Sequence, residues 1–213
     1  MAEAQLRTIA YIDGFNLYYR ALKGTPNRWL DIRSLLQLVY PKNDFILIRY
    51  FTALVQPLPH DLDQPKRQQT YLRALRTLPE VRLHFGQFTC HTVRLPLAST
   101  LGSKKPKYAK VVRTEEKGSD VSLAANLVND AHNGAFEAAI VVTNDSDLIE
   151  PIKLVTSQVG LPVGVLNPCK QPAGGLKAAS SFYTVMRRNA PSKCHFPLQL
   201  NDRHGSFTKP AAW

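Results

Sequence analysis

The sequence predicts an α/β protein in which a mainly parallel sheet lies between two layers of helices. Short runs of β-branched and aromatic residues alternate along the chain with stretches in which apolar residues recur at helical spacing. Strands that alternate with helices are typical of a parallel sheet, and the apolar run at 138–143 is typical of a strand covered on both faces. The 213 residues suffice for one well-packed domain and are short for two.

The first half of the chain predicts three strands and two helices. The predicted strands are 8–12, 45–55 and 81–88, and the predicted helices are 31–40 and 71–78. Asp13 follows the first strand directly. The first helix begins behind Asp31, because aspartate is a favoured N-cap, and Pro79 ends the second helix.

The second half begins with residues 89–114, which are less regular and are predicted to form a β-hairpin flap. A helix, a strand, a helix and a strand follow at 120–132, 138–143, 148–159 and 161–166. Gly134 and Gly160 come just after the two helices, where glycine commonly ends a helix. Residues 1–188 are expected to form the folded domain, and residues 189–213, rich in Pro, Asn and His, an irregular C-terminal extension.

The excess of basic residues indicates a polyanionic partner. A net charge of +11 and a pI of about 9.7 favour nucleic acid ahead of an anionic membrane, with a merely solubilising basic surface as the alternative. No acidic residue occurs within 81–114 or within 151–201. The residues predicted to bind nucleic acid, or else to form a solvated flap, are Lys104, Lys105, Lys107, Lys110, Arg113 and Lys117.

Aromatic side chains near the predicted site have two open interpretations. Phe15, Tyr18, Tyr19 and Tyr108 are able to stack on unpaired bases, as aromatic residues do in single-strand binding proteins. Packing in the core or at its rim is the alternative for each of them.

Cysteine use and hydropathy predict a cytoplasmic protein. Cys90, Cys169 and Cys194 are too few and too scattered for a disulfide framework. The first residues do not resemble a signal peptide, and no apolar run approaches the roughly 20 residues needed to span a bilayer. The pairs Cys90-His91 and Cys194-His195 have the wrong spacing for a zinc finger. The oligomeric state stays open, and a homo-oligomer is compatible with the sequence.

Acidic residues stand where the predicted fold brings ligands together. Asp13 follows the first strand, Asp145 and Asp147 follow the strand at 138–143, and Asp120 opens a helix. In open parallel sheets ligands bind beyond the carboxyl ends of the strands, near the point where strand order reverses. The four carboxylates are therefore expected to lie together. Asn16 is expected to orient a carboxylate or a water with its amide.

A cluster of carboxylates is stable when a cation compensates their repulsion. Mg²⁺ prefers oxygen ligands and assists hydrolysis of phosphodiesters, so the sequence predicts a metal-dependent nuclease site. Each aspartate also has a structural alternative. Asp120 suits a helix start, Asp147 with Glu150 fits a capping box, and Asp13-Gly14 is a common turn dipeptide, whereas Asp145 has no predicted capping role.

Three segments resemble the motifs of a known family. YIDGFNLYY, EEKGSD and VVTNDSDL, in this order, are similar to those of the NYN-domain (LabA-like) family of the PIN-like nuclease superfamily, and the resemblance covers residues 7–188. It implies a PIN-like α/β/α fold and an endoribonuclease that depends on Mg²⁺ or Mn²⁺, but it does not fix the substrate. Single-stranded RNA is the expected partner because the basic segments suit phosphates and the aromatic residues suit unpaired bases. The family's acidic site falls here on Asp13, Asp120, Asp145 and Asp147, with Asn16 alongside. Glu116 and Lys117 are expected to tune the second motif.

Two other functions remain open at this stage. The first is a non-catalytic nucleic-acid-binding or regulatory protein whose acidic residues hold no metal. The second, a phosphatase-like enzyme, is disfavoured because Asp13 lacks a second aspartate two positions later. A nucleotide-binding loop is not supported, since neither GxxxxGK[ST] nor GxGxxG occurs in the sequence.

Overall fold

A computed structural model describes residues 5–58, 61–100, 102, 104–171 and 173–213. The described residues form ten strands: β1 (Leu6–Asp13), β2 (Asn43–Thr52), β3 (Val81–Phe85), β4 (Gln87–Pro96), β5 (Tyr108–Lys117), β6 (Ala138–Val142), β7 (Val163–Asn167), β8 (Phe182–Val185), β9 (Gln199–Asp202) and β10 (Gly205–Thr208). They also form six α-helices: α1 (Gly14–Leu17), α2 (Ile32–Val39), α3 (Gln64–Leu75), α4 (Ser119–His132), α5 (Ile149–Lys153) and α6 (Gly174–Ala179). Short π-helical segments continue α1 over Tyr18–Leu22 and α5 over Leu154–Val159.

The central sheet has six parallel strands in the order β3-β2-β1-β6-β7-β8. The chain builds outward from β1 to β3 on one side and from β6 to β8 on the other. The order therefore reverses between β1 and β6, and a crevice is expected at the carboxyl ends of these two strands.

Helices cover both faces of this sheet, as the sequence predicts. Successive residues of β1 point to opposite sides, so Ala10 and Ile12 join one buried cluster and Ile9 and Tyr11 the other. The first cluster contains apolar residues of α2 and α3, and the second those of α4, α5 and α6. The three-layer α/β/α class is confirmed.

The predicted flap is confirmed as a long antiparallel hairpin formed by β4 and β5, paired from Gln87–Lys117 to Pro96–Tyr108. The predicted strand at 81–88 divides into β3 and β4 at Gly86. A Cβ atom at Gly86 would lie 2.3 Å from Oε1 of Glu116 and 2.7 Å from the Lys117 carbonyl oxygen. Only glycine lets the two chain segments pass this closely.

Three elements before residue 188 were not predicted from the sequence: α1, α6 and β8. The segment after residue 188, expected to be irregular, contains the β9–β10 hairpin. Phe207 and Trp213 of this segment pack against Trp29 of the first core cluster. The division into a domain and an extension stays a prediction. In the part of the chain that the structure describes, no helix is both long and apolar enough to cross a membrane.

Candidate functional site

The candidate site lies where the strand order reverses. β1 ends at Asp13, and β6 is followed by Thr143, Asn144 and Asp145. Because β1 and β6 are paired in parallel, their carboxyl ends bring these residues to one edge of the sheet. This is the crevice in which ligands of open α/β sheets bind.

Asp13 is buried, with a 5% exposed surface. Its Oδ1 accepts a hydrogen bond from the Asn16 backbone N–H at 2.9 Å, and its Oδ2 accepts one from the Thr143 hydroxyl at 3.0 Å. Burial, and then the nearby carboxylates of Asp120 and Asp145, together raise the pKa of Asp13 to about 7 against the lowering effect of the two hydrogen bonds. A carboxylate in this position is ionised most easily when a cation lies beside it.

Asp145 is half-buried and points toward the same crevice as Asp13. Its backbone N–H donates to the Thr143 hydroxyl at 3.1 Å, and its Oδ1 accepts from the Asp147 backbone N–H at 3.0 Å. The expectation that Asp145 has no capping role is therefore wrong. Asp145 is the N-cap of the short 3₁₀ turn Ser146–Leu148, and Asp13 is likewise the N-cap of α1.

Asp120 reaches the site from the amino end of α4. It is the second residue of α4. The N-cap of this helix is Gly118, which follows the β4–β5 hairpin and has a φ of +93°. One carboxylate oxygen from each of Asp13, Asp120 and Asp145 lies within 4.8 Å of the others. We call these three residues the acidic cluster. Partial burial and then the charge of Asp145 raise the pKa of Asp120.

Two predicted site residues occupy supporting positions. Asp147 is exposed and lies outside the acidic cluster, although its charge contributes to the raised pKa of Asp120. The side-chain oxygen of Asn16 accepts from the Asn144 backbone N–H at 3.0 Å, which ties α1 to the loop after β6. Asn16 thus orients the segment that carries Asp145.

Glu116 takes part in the start of α4. Its two carboxylate oxygens accept hydrogen bonds from the Ser119 backbone N–H at 3.1 Å and from the Ser119 hydroxyl at 2.8 Å. Glu116 also raises the pKa of Asp120 through its charge. Its oxygens are therefore engaged in fixing the helix end from which Asp120 projects.

The basic residues predicted to bind nucleic acid all lie on the hairpin or in its connecting loop, and all are exposed: Lys104, Lys105, Lys107, Lys110, Arg113 and Lys117. Arg113 forms an ion pair with Glu115, and Nζ of Lys117 lies 3.8 Å from the same carboxylate. The four lysines from 104 to 110 therefore offer the more available positive charge. Their role in binding stays a prediction.

Aromatic residues line the route from the hairpin to α1. Phe15 contacts Phe88 of β4 edge-on at 5.5 Å between ring centroids and lies stacked at 6.4 Å from Tyr19. Tyr19 is 52% exposed and carries the Lys23 ammonium over its ring. Tyr108 lies apart from this group, near Arg94 on the hairpin. The position of Phe15, one residue beyond Gly14, brings this group beside the acidic cluster.

The donor set of the acidic cluster fits a hard divalent cation. All its ligand atoms are carboxylate oxygens, and Mg²⁺ and Mn²⁺ prefer such ligands and bind with few of them. Burial, and then the charges of neighbouring carboxylates, raise the pKa values of Asp13 and Asp120, and a bound cation would offset both effects. The three residues present could therefore hold such an ion.

Some supporting contacts are not apparent from the sequence. Asn144 donates to the Gln171 carbonyl oxygen at 3.1 Å and accepts from the Ala173 backbone N–H at 2.9 Å, which holds the loop before α6 against the site. The buried hydroxyl of Thr143 joins Asp13 to Asp145. Apart from the Thr143–Asp145 contact, these hydrogen bonds join residues 27 to 130 positions apart, and no local pattern signals contacts over such distances in sequence.

Three comparisons relate this chain to known proteins. A family model described as the NYN domain matches residues 7–186. The chain is 30% identical over 186 residues to "6-hydroxy-3-succinoylpyridine 3-monooxygenase HspA" of Pseudomonas putida (strain DSM 28022 / S16), which covers 76% of this chain and 60% of that protein. The crystal structure of VPA0982, a protein of unknown function from Vibrio parahaemolyticus RIMD 2210633, aligns with a TM-score of 0.56 at 13% identity, covering 88% of this chain and 96% of that one.

Proposed function

This chain belongs to the NYN domain family, a PIN-like nuclease family, and from its site we propose that it is a metal-dependent endoribonuclease. The observation that carries the proposal is the meeting of Asp13, Asp120 and Asp145 within 4.8 Å at the carboxyl edge of the sheet. These residues come from three separate segments. Helix capping alone does not require three carboxylates to converge.

The acidic cluster would hold Mg²⁺ or Mn²⁺ through its carboxylate oxygens. When bound, such an ion neutralises phosphate charge and lowers the pKa of nearby water. Thr143 and Asn16 keep the carboxylates and the loop after β6 in place by their hydrogen bonds. In the proposed hydrolysis one water oxygen bonds to phosphorus, the 3′-oxygen leaves with a proton, and the downstream fragment keeps a 5′-phosphate.

Single-stranded RNA is the proposed substrate. The exposed lysines of the hairpin connection would hold phosphates on either side of the scissile one, because phosphate contacts position a strand without reading its sequence. Exposed aromatic rings such as Tyr19 are suited to unpaired bases, which present their faces for stacking. A duplex would hide those faces.

Cleavage assays on the purified chain test the proposal. A 5′-labelled single-stranded RNA is incubated with Mn²⁺, Mg²⁺ or EDTA, and the products are resolved by length and by their terminal phosphate. We expect Asp13→Asn, Asp120→Asn and Asp145→Asn to reduce kcat/KM by roughly 100-fold or more, since each removes a charge from the metal site.

Asp147→Asn is the matched control. It removes the same charge from an exposed position outside the acidic cluster, so a loss of about tenfold or less is expected. RNA binding without cleavage would support the alternative, a non-catalytic nucleic-acid-binding or regulatory protein. Cleavage that persists undiminished in the three cluster variants would overturn the assignment of the site.

A second candidate function comes from the relative in Pseudomonas putida. Its name states a monooxygenase of 6-hydroxy-3-succinoylpyridine, and the present chain spans 60% of its length. An aromatic-lined cavity beside Asp13 is the observation in favour, since it suits a heteroaromatic ring. A monooxygenase places one oxygen atom of O₂ in the product and reduces the other to water with a two-electron donor. Oxygen consumption with that pyridine and a reduced nicotinamide would support this candidate, and its absence would exclude it.

A further inference from the structure

A cavity of about 120 Å³ lies beside the acidic cluster, between α1 with its π-helical continuation and α3. Aromatic rings contribute much of its wall: Phe15, Tyr18, Tyr19, Tyr50, Tyr71 and Trp213. Engineered cavities of about 150 Å³ bind one benzene ring. The volume here is therefore close to that of a single aromatic ring.

The cavity lies next to the acidic cluster because the residues that follow Asp13 line its wall. Gly14 and Phe15 line the cavity, and Asp13 precedes them directly. A Cβ atom on Gly14 would lie 2.6 Å from the Tyr50 ring and 2.7 Å from the Phe51 carbonyl oxygen, so a side chain there would displace the wall. A ring in the cavity would consequently lie within a nucleotide's reach of a phosphate at the cluster.

Polar groups at one side of the cavity are suited to the edge of a ring. Gln68 is already engaged, accepting from the Val55 backbone N–H at 3.0 Å and donating to the Ala53 carbonyl oxygen at 2.8 Å. Arg67 pairs with Asp61 at 2.5 Å. In the described part of the chain, the Gln64 side-chain amide makes no hydrogen bond, so its donor and its acceptor are both available to a ligand.

We propose that this cavity binds one unpaired nucleobase of the RNA strand, with single-ring pyrimidines preferred to purines. The inference rests on the proposed function and specifies its substrate. Stacking on the aromatic wall gives affinity for any base, and the Gln64 amide reads the hydrogen-bonding edge. The cavity would thus position the strand so that the adjoining phosphate lies on the acidic cluster.

Binding of mononucleotides tests the cavity without any cleavage. Uridine, cytidine and adenosine 5′-monophosphates are titrated into the full chain in EDTA, with ribose 5-phosphate as the probe that lacks a base. Binding is followed by tryptophan fluorescence, because Trp213 lines the cavity, and by NMR. We expect saturable changes with the pyrimidine nucleotides and at least about tenfold weaker binding of ribose 5-phosphate, which has no base to stack.

Two variants on α3 separate a specific contact from a general effect. Gln64→Ala is expected to weaken binding of the pyrimidine nucleotides by about tenfold, whereas Gln69→Ala, an exposed residue of the same helix outside the cavity, leaves it unchanged. Tyr19→Ala removes an exposed stacking surface and is expected to weaken all nucleotides alike. Equal binding of ribose 5-phosphate and uridine 5′-monophosphate overturns the proposal.

RNA cleavage distinguishes failure of the cavity from failure of the nuclease. RNAs with a single abasic site at successive positions are expected to show one position at which removal of the base lowers kcat/KM by about tenfold. Gln64→Ala removes the hydrogen bonds but keeps the stacking, so it is expected to reduce this dependence. Cleavage with no such position and no base preference overturns the cavity. If base binding depends on Gln64 but no RNA is cleaved, the proposal of base binding in the cavity is supported and the proposal of nuclease activity is overturned.

Discussion

The Thr143 hydroxyl donates a hydrogen bond of 3.0 Å to the Asp13 carboxylate across the point where the strand order reverses. The same hydroxyl oxygen accepts from the Asp145 backbone N–H at 3.1 Å. Asp13 ends β1 and Thr143 follows β6, so one buried side chain connects two strands and two members of the acidic cluster. The spacing of the cluster therefore depends on a residue that bears no charge.

Thr143→Val tests this dependence. Valine keeps the shape of threonine but removes the hydroxyl, which leaves the Asp145 N–H without its partner and frees Asp13 to rotate. We expect the affinity for Mn²⁺, measured by calorimetry, to fall by roughly 10- to 100-fold. The free energy of unfolding should fall by about 1–3 kcal/mol. Thr143→Ser keeps the hydroxyl and is the control, so it should retain most of the Mn²⁺ affinity and of the free energy of unfolding. Equal Mn²⁺ affinity in the Thr143→Val and Thr143→Ser variants would show that the cluster does not depend on this hydroxyl.

The raised pKa of Asp13 predicts how stability changes with pH in the metal-free protein. The pKa is about 7 in the folded state against an ordinary value of 3.8, so between these values the folded state holds a proton that the unfolded chain releases. Stability from this group is therefore full below about pH 4 and is lost as pH rises to 7. The upper limit is about 4 kcal/mol, at about 1.4 kcal/mol per unit.

Asp13→Asn removes this titration and provides the measurement. Urea unfolding in EDTA at about pH 8 should show the variant to be more stable than the native chain by about 1–4 kcal/mol. The advantage should shrink as pH falls toward about 4, and Mn²⁺ should stabilise only the native chain. An Asp13→Asn chain that is less stable under the alkaline condition would show that Asp13 has a structural role.

The sequence predicts those features of the site that depend on local pattern. Asp13 and Asp145 are recognisable because each comes just after a short apolar strand, and the parallel sheet then brings strand ends to one edge. The sequence does not give the distances between them, because these depend on the pairing of β1 with β6. Asp13 and Thr143, which are in contact there, are 130 positions apart in sequence. For the same reason the exposed position of Asp147 is not apparent from the sequence.

Other features are invisible to local patterns for a related reason. The strand β8 is only four residues long and its apolar pattern is weak, so it is recognised only by its pairing with β7. The aromatic cavity combines residues from α1, β2, α3 and the C-terminal Trp213. Each of these rings has an ordinary packing explanation until the fold places them around one space.

A buried ion pair below the site offers a test of the fold itself. Arg49 donates to both oxygens of Asp130, at 2.7 and 2.9 Å, and the Tyr11 hydroxyl donates to the same carboxylate at 2.7 Å. Arg49→Leu leaves a buried carboxylate without a counter-charge, which should cost about 3–5 kcal/mol in urea unfolding. Lys66→Ala breaks an exposed pair with Asp63 and is the control, with an expected cost below about 1 kcal/mol. Similar destabilisation by both would contradict the burial of the Arg49 pair.

Replacing lysines of the hairpin connection tests where RNA phosphates bind. Lys104 and Lys105 are exposed in the loop between β4 and β5. For a single strand, each phosphate that the protein no longer neutralises should lower the slope of log K against log salt by about 0.7, so the double alanine variant should show a slope smaller by roughly 1.4. The measurement is fluorescence anisotropy of a labelled single-stranded RNA in EDTA, over a range of salt concentrations.

Arg7 and Arg82 provide a control of equal charge. Both are exposed and lie near the amino ends of β1 and β3, at the sheet edge opposite the acidic cluster. Replacing both with alanine lowers the net charge by the same amount, so a long-range effect of charge alone would weaken binding equally in the two variants. Because we place the RNA at the carboxyl edge, the salt slope of the Arg7 and Arg82 variant should stay near that of the native chain. Equal slopes for the two double variants would exclude direct phosphate contacts by Lys104 and Lys105.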